Sequence, residues 1–403
     1  MDSVTGIIDK IKTLAKEGEK EIVDLRRHFH MNPETSWNEV ETTKRIVEEL
    51  EKIGVENVRS GFGGTECGVT ADIVGAKPGK CVALRADIDA LPLNDEKDVP
   101  YKSRKAGAMH ACGHDSHASM LIGAAKALTA LKSELKGKVR LLFQPAEEHG
   151  IRPGAKALID GGALEGVEGM FGIHVMSSIP SGMLEYRAGP FMAGADSWEA
   201  TIAGKGGHGS APELAVDPTI AAFQIGNAIQ TVISREVPPR DTAVVSIGGI
   251  KTSSYVFNII PDRVEMCGTV RTFRPEVQDS VEAALVRLFE TIGEACRCKV
   301  DFKYNRLLPA TINDGNMTAL AKSVAEAALG EKNVRESELV MGSEDFSHYG
   351  RIVPAVFVNL GTACAEKKSD MPHHSPKFDV DESVLWQGAV LHAVFAWRFL
   401  EEN

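Results

Sequence analysis

The sequence lacks any long apolar run. No stretch approaches the ~20 apolar residues that a membrane helix needs. The longest candidate, 389–400, is interrupted by His392 and Arg398 and is typical of an amphipathic helix. The first residues have neither the basic segment nor the apolar stretch of a secretory signal peptide. We therefore expect no membrane span and no signal peptide.

Cysteines are few, and acidic residues outnumber basic ones by 56 to 45. Seven cysteines are scattered over 403 residues, an odd number that favours a reducing compartment over a disulfide framework. The formal net charge is -11 at pH 7, whereas nucleic-acid binders need a basic face to neutralise phosphates. We expect a cytoplasmic protein without a nucleic-acid or membrane partner. Small anionic ligands stay open, because a local cationic pocket can override the net charge.

The length favours two domains. Short runs rich in Val, Ile and Leu alternate with helical patterns, which predicts an α/β three-layer sandwich with a mostly parallel sheet. In the middle of the chain the pattern changes to β-α-β-β-α-β, the order of a ferredoxin-like α+β domain. We predict the first part of a catalytic domain over 1–188, an inserted ferredoxin-like domain over 189–304, and the second part of the catalytic domain over 305–403.

One short segment concentrates side chains that bind metals. Residues 110–117 contain three histidines, a cysteine and an aspartate. Cys112 and His114, two residues apart in an extended turn, can point to one side, as metal ligands must. A packing or redox cysteine beside helix-capping groups explains the segment equally well. Near the C-terminus, His374 is a further candidate ligand or an ordinary loop residue.

Other titratable residues follow apolar strands. Asp87 and Asp89 come at the end of one strand, Glu147 and Glu148 follow another, and His174 ends a third. Each alone has an ordinary explanation, a solvated carboxylate or a buried structural histidine. Because the carboxyl ends of parallel strands meet at one edge of a sheet, we expect these groups to converge there. Together with the segment 110–117, they predict a metal site at that edge.

Eight segments, in order along nearly the whole chain, form a highly specific set. They are LRADIDALP at 84–92, MHACGHDSH at 109–117, FQPAEE at 143–148, GIHV at 172–175, GGHGSAP at 206–212, NIIP at 258–261, GSEDF at 342–346 and HSPKF at 374–378. With these segments the chain resembles the co-catalytic metallopeptidase family of aminoacylase and carboxypeptidase G. The similarity is greatest to its amidohydrolase branch, which contains indoleacetyl-amino-acid hydrolases, hippurate hydrolases and N-acyl-amino-acid deacylases.

The resemblance implies two divalent metal ions per subunit. It implies Glu147 as the general base and Asp89 as a residue that orients a ligand. Imidazole and thiolate donors favour zinc, with manganese, cobalt and nickel as alternatives. Cys112 would bridge the two ions. The implied ligands are Cys112, His114, Glu148, His174 and His374.

For the inserted domain, the resemblance implies a role as lid and dimerisation domain. His208 would stabilise the reaction's oxyanion in the active site of the partner subunit. Asn258 and Arg271 would anchor the carbonyl and carboxylate of the substrate. Arginine suits a carboxylate because two parallel N–H groups match its two oxygens, although a solvated strand residue is the plainer explanation. The implied assembly is a homodimer, or a higher homo-oligomer.

The implied activity is hydrolysis of the amide bond of an N-acyl amino acid. A metal-activated water would attack the carbonyl with Glu147 as general base. A dipeptidase or carboxypeptidase that cleaves a short peptide by the same two-metal mechanism is the alternative, since it differs only in the pocket. A catalytically silent binding protein is disfavoured, because the whole set of implied catalytic and ligand residues is present.

Overall fold

The computed structural model describes residues 2–402, with side chains from Gly6 onward. The chain divides into two compact units. The first comprises Met1–Gly189, Ile312–Glu338 and Asp345–Asn403, and the second comprises Pro190–Thr311 and Leu339–Glu344. The second unit therefore continues past residue 304, where the sequence pattern placed the end of the insertion.

Helices and strands alternate along most of the described chain. The helices are α1 (Asp2–Glu17), α2 (Glu19–Met31), α3 (Val40–Ile53), α4 (His114–Ala130), α5 (Gly154–Asp160), α6 (Pro218–Thr231), α7 (Pro275–Ala295), α8 (Gly315–Leu329), α9 (Ser347–Gly350) and α10 (Leu385–Glu402). The strands are β1 (Glu56–Ser60), β2 (Val69–Val74), β3 (Lys77–Asp87), β4 (Lys136–Gln144), β5 (Gly169–Pro180), β6 (Leu184–Tyr186), β7 (Gly189–Met192), β8 (Gly194–Ala203), β9 (Gly207–His208), β10 (Ala243–Thr252), β11 (Ile259–Ile260), β12 (Arg263–Thr272), β13 (Lys299–Leu308), β14 (Thr311–Asn313), β15 (Val334–Glu336) and β16 (Ala355–Ala363).

An eight-stranded sheet forms the centre of the first unit, in the order β1-β2-β4-β3-β5-β16-β6-β15. The strands β4, β3, β5 and β16 run parallel to their neighbours in this group, whereas β2 and β6 run antiparallel at its borders. The central strands are almost continuous apolar runs that are buried, as expected where helices cover a parallel sheet. The predicted α/β fold with a mostly parallel sheet is confirmed.

Helix α10 is buried along nearly its whole length, so the expectation of an amphipathic helix is wrong. It packs on the sheet and is also covered by α1, α4 and α8, and even His392 is fully buried. Gly388 permits the contact with α4, because a Cβ there would lie 2.0 Å from Met120 Sδ. No helix among the described residues is long and apolar enough to cross a membrane.

The second unit is built on an antiparallel sheet in the order β10-β12-β8-β13. Helices α6 and α7 pack on it around a core that includes Trp198, Ile225, Val281 and Phe289. Helix α6 begins as its sequence favours, since Asp217 accepts a hydrogen bond from the N–H of Thr219. With the chain order β8-α6-β10-β12-α7-β13, this arrangement confirms the predicted ferredoxin-like fold.

Candidate metal centre

Cys112 and His114 flank a sharp turn at the start of α4. Gly113 between them has a positive φ of 91°, and a Cβ there would lie 2.3 Å from Val175 Cγ2. Glycine is therefore needed both for the turn and for the approach to β5. The turn places Cys112 Sγ 3.5 Å from Nε2 of His174. Ligand atoms of Cys112, His114 and His174 all lie within 4.8 Å of one another.

A second group of ligand atoms shares the same cysteine. Atoms of Cys112, Glu148 and His374 also lie within 4.8 Å of one another. His374 Nε2 is 3.2 Å from Glu148 Oε1, and the His374 backbone is held by a 2.8 Å hydrogen bond from its N–H to the carbonyl of Ala111. The structure thus brings together the five predicted ligands as two groups that meet at Cys112.

The hydrogen bonds of two histidines leave their Nε2 lone pairs available for a cation. His114 Nδ1 is 3.1 Å from Asp89 Oδ1, and His114 Nε2 is buried without a hydrogen-bond partner among the described residues. His174 Nδ1 donates to the carbonyl of Val175 over 2.6 Å, which leaves its Nε2 facing the cysteine. Metal-ligating histidines are usually held in this way. With a thiol and a carboxylate beside them, these residues fit a divalent transition metal.

Negative charge accumulates around these donors. Burial raises the pKa of the Cys112 thiol, and the carboxylates of Glu148 and Glu147 raise it further. Burial lowers the pKa of His114, but nearby carboxylates, first of all Asp87, more than offset this and raise it to about 10. A divalent cation among these groups would favour the thiolate and the neutral imidazole instead. The electrostatics therefore suit a cation.

Asp89 connects two of the candidate ligands. Besides its contact with His114, it accepts hydrogen bonds through Oδ2 from the N–H of Glu148 at 3.0 Å and from the Ser36 hydroxyl at 2.7 Å. Its carboxylate is fully buried, so these bonds are not exchanged with solvent. Asp89 lies where a residue that orients ligands would be expected.

Glu147 is buried beside this centre, and its carboxylate forms a group with ligand atoms of His114 and Glu148 within 4.8 Å. The preceding residue, Ala146, has a positive φ of 52°, which is unusual for a residue with a side chain. Its N–H donates to Glu39 Oε1 over 2.8 Å. Glu39 therefore holds the bend before the two glutamates.

Sequence patterns did not indicate two residues that lie at the candidate metal centre. Glu39 lies at the start of a helical pattern, and no local signal sets it apart from an ordinary exposed glutamate. His373 directly precedes His374 in the sequence, and its Nδ1 lies 3.7 Å from Cys112 Sγ. The histidine pair was the only signal that could have indicated it.

The remaining predicted residues lie in the second unit. His208 in β9 is exposed and pairs with Ile259 of β11, next to the exposed Asn258. Nδ1 of His208 lies 2.8 Å from the hydroxyl of Ser210 and accepts from its N–H over 3.1 Å. Arg271 in β12 is half-buried, and its guanidinium donates to the carbonyl of Val270 over 3.0 Å. All three stay predictions as functional residues.

Comparison with known proteins gives consistent similarities. Residues 83–398 match the model of Peptidase family M20/M25/M40. The chain is 42% identical to Thermostable carboxypeptidase 2 of Saccharolobus solfataricus, over 98% of this chain and 99% of that protein. It is 40% identical to N-acetylcysteine deacetylase of Bacillus subtilis, over 94% and 97% of the two chains. The solved YXEP protein of Bacillus subtilis, a dinuclear metal binding peptidase from the M20 family, superimposes with a TM-score of 0.84 at 36% identity, covering 96% of this chain and 99% of that one.

Proposed function

We propose that N-acyl amino acids are the substrates of this chain, because it belongs to peptidase family M20/M25/M40 and is a hydrolase of amide bonds. Hydrolysis would release the acyl group as a carboxylic acid together with the free amino acid. The observation that carries the proposal is the pair of ligand groups that share Cys112, with Glu147 beside them. Similarity to an N-acetylcysteine deacetylase over 94% of the chain supports the substrate class.

The same observation supports a two-metal site. Cys112, His114 and His174 would hold one ion, and Cys112, Glu148 and His374 would hold the other, so Cys112 would be shared as the bridge. This donor set favours zinc, and manganese, cobalt and nickel are the alternatives. When bound, two divalent ions lower the pKa of water towards neutrality and polarise a carbonyl group.

Glu147 is the general base in this scheme. Its carboxylate takes a proton from the water as the water oxygen attacks the amide carbon. When the C–N bond breaks, the same carboxyl group delivers that proton to the leaving nitrogen. Burial beside the ligand groups suits this shuttle, because a base must lie within hydrogen-bond reach of the reacting atoms.

His208, Asn258 and Arg271 of the second unit are proposed to act on the substrate. Ser210 donates its N–H to Nδ1 of His208, so a neutral ring carries its proton on Nε2, where it can donate to the developing oxyanion. In the family scheme this histidine serves the partner subunit. Asn258 and Arg271 would hold the carbonyl and carboxylate of the substrate.

An exposed apolar segment supports a homodimer, or a higher homo-oligomer, formed through the second unit. Tyr255 and Phe257 are 102% and 101% exposed, and Val256 and Ile259 beside them are about half exposed. Contiguous apolar surface of this kind usually marks an interface. A cytoplasmic location is also part of the proposal, and the seven free cysteines support it.

The second candidate function is a carboxypeptidase or dipeptidase. Similarity to Thermostable carboxypeptidase 2 over 98% of the chain favours it. Such an enzyme would use the same ligands, the same base and an anchor for a free carboxylate. The two candidates differ in whether the acyl part is a simple acid or another amino acid.

A substrate comparison tests the proposal. The metal-reconstituted protein is assayed with N-acetyl and N-benzoyl amino acids, with their carboxamides and with dipeptides. We expect the acids to be hydrolysed and the carboxamides to react decades more slowly, because Arg271 would lose a partner worth about 2–5 kcal/mol. Arg271→Ala should remove most of this preference. Equal rates on acid and carboxamide would contradict the carboxylate anchor, and faster turnover of dipeptides would favour the second candidate.

A further inference from the structure

His373 faces Cys112, the proposed bridging ligand, through Nδ1. In His114 and His174, this nitrogen instead contacts other acceptors. The Nδ1 of His373 lies 3.7 Å from Cys112 Sγ. On the opposite side of the ring, Nε2 accepts a hydrogen bond from the N–H of Ser177 over 3.2 Å. The ring also packs against the buried Phe378, with the ring centres 4.7 Å apart. Its orientation is thus determined from three directions.

The contact with Ser177 determines where the ring carries its proton. A peptide N–H can only donate, so Nε2 of His373 must present its lone pair. The neutral ring therefore has its proton on Nδ1, the atom that faces Cys112.

The proton and the lone pair of the His373 ring are placed in the reverse way from those of the neighbouring candidate ligands. In His174 the proton lies on Nδ1, which donates to a carbonyl, so the lone pair of Nε2 faces Cys112. In His373 the N–H faces Cys112 and the lone pair is already used by Ser177. A ring held in this way is a hydrogen-bond donor to sulfur and not a metal ligand. Donors of this kind orient a ligand and stabilise its charge.

We propose that His373 is a positioning residue for the bridging ligand. Its Nδ1–H donates to the Cys112 thiolate and holds the sulfur where both ligand groups share it. The inference rests on the proposed two-metal site, and it adds a residue that neither group of ligand atoms contains. It concerns the retention of metal first and the rate of hydrolysis only as a consequence.

Two substitutions separate the two nitrogens of the ring. In His373→Asn, the side-chain amide can place an N–H near the position of Nδ1, but the acceptor for Ser177 is lost. In His373→Gln, the longer side chain can place an acceptor near the position of Nε2, but the donor to Cys112 is lost. Each variant is the matched control of the other, since both replace the ring with a neutral amide.

The full-length variants are loaded with Co²⁺, and metal affinity is measured by competition with a chromophoric chelator. The thiolate-to-cobalt charge-transfer band is recorded alongside. We expect His373→Gln to weaken affinity by about 10–100-fold and to shift the band, and His373→Asn to stay close to the unsubstituted protein. The thermal stability of the metal-free variants shows how far loss of the Ser177 contact alone disturbs the fold.

Equal affinities in the two variants would overturn the inference, because the donor would then make no difference. Loss of one whole metal equivalent from both would also overturn it and would make His373 a ligand. If the unsubstituted protein bound no Co²⁺, the proposed two-metal site would fall together with the inference. If that protein bound two ions and the variants behaved alike, only the role of His373 would fail.

Discussion

Glu147 and Glu148 are adjacent and chemically identical, but the structure gives them different surroundings. The N–H of Glu148 donates to Asp89, and its carboxylate lies 3.2 Å from Nε2 of His374. Glu147 follows directly on the bend at Ala146, whose φ is 52°. The proposed difference in role between the two carboxylates therefore depends on backbone direction, and not on residue type.

Paired substitutions test this difference. Glu147→Gln should retain both metal ions and lower kcat by about 10²–10⁴-fold or more, because it removes a proton acceptor and not a proposed ligand. Glu148→Gln should lose metal as well as activity. Metal content by elemental analysis and kcat are measured for both variants. Equal loss of metal from two variants with intact folds would show that the assigned roles are wrong.

Between elements, the fully buried Arg26 of α2 forms ion pairs with three acidic residues from other segments. Its guanidinium donates to Asp115 in α4 at 2.9 Å and to Asp379, just before α10, at 2.7 Å. Glu382 accepts a third hydrogen bond at 3.1 Å. Asp115 follows His114 directly, and Asp379 belongs to the segment that continues from His374. Arg26 therefore ties the elements that carry two candidate ligands.

Arg26→Met should lower the free energy of unfolding by about 3–5 kcal/mol, because it leaves buried carboxylates without their cation. The neighbouring Arg27 provides the matched control. It also pairs with Glu382, but its side chain is 42% exposed, so Arg27→Met should cost less than about 1 kcal/mol. Urea unfolding of the metal-free proteins measures both. Similar losses in the two variants would contradict the importance of the buried network.

Helix α10 contains a buried titratable group away from the candidate ligands. Both ring nitrogens of His392 are buried without a hydrogen-bond partner among the described residues, and the ring packs edge-on against Phe171. Burial lowers the pKa of His392 from 6.5 to about 3. The folded protein therefore keeps this imidazole neutral at pH values where the unfolded chain protonates it.

Stability should consequently depend on pH through His392. Above pH 6.5 the ring is neutral in both states, and as the pH falls towards 3 the unfolded chain alone binds the proton, so stability is lost. His392→Leu should reduce this acid-dependent loss and stabilise the protein at neutral pH by removing unpaired polar atoms. Denaturant unfolding of the metal-free proteins at pH 7 and about pH 5 tests this. An unchanged pH dependence in the variant would contradict it.

At the scale of the whole molecule, the proposed chemistry is divided between two compact units. The first contains the candidate ligands and Glu147, and the second contains His208, Asn258 and Arg271. The exposed Tyr255 and Phe257 lie in the second unit close to Asn258 in sequence. If this surface forms the dimer, an active site would need both subunits.

Mixing two inactive variants tests the assembly. His208→Ala and Glu147→Gln are each inactive in this scheme, but a mixed dimer would contain one site with an intact Glu147 and an intact partner His208. We expect turnover to reappear on mixing, whereas each variant alone stays inactive. Lack of recovery despite demonstrated subunit exchange would place His208 in the site of its own chain or outside catalysis.

The amino-acid sequence was sufficient for the fold class and for the five candidate ligands that the structure brings together. The alternation of apolar runs with helical patterns predicts which strands and helices form. The polar residues that follow the strands were enough to indicate that they meet at one edge of the sheet. The β-α-β-β-α-β order likewise predicted the ferredoxin-like unit. These signals are local, because they depend on spacing within a few turns or strand residues.

Only the tertiary structure showed which residues from distant segments contact one another. Glu39 reaches Ala146 across 107 positions, and Arg26 meets Asp379 across 353. The polar His392 and Arg398 within 389–400 indicated an exposed face, but helices from both ends of the chain cover α10. The donor role proposed for His373 depends on Ser177, whose N–H donates to the other ring nitrogen. Such contacts form only when the chain packs. A pattern of residues that are neighbours in sequence does not specify which distant residue will contact them.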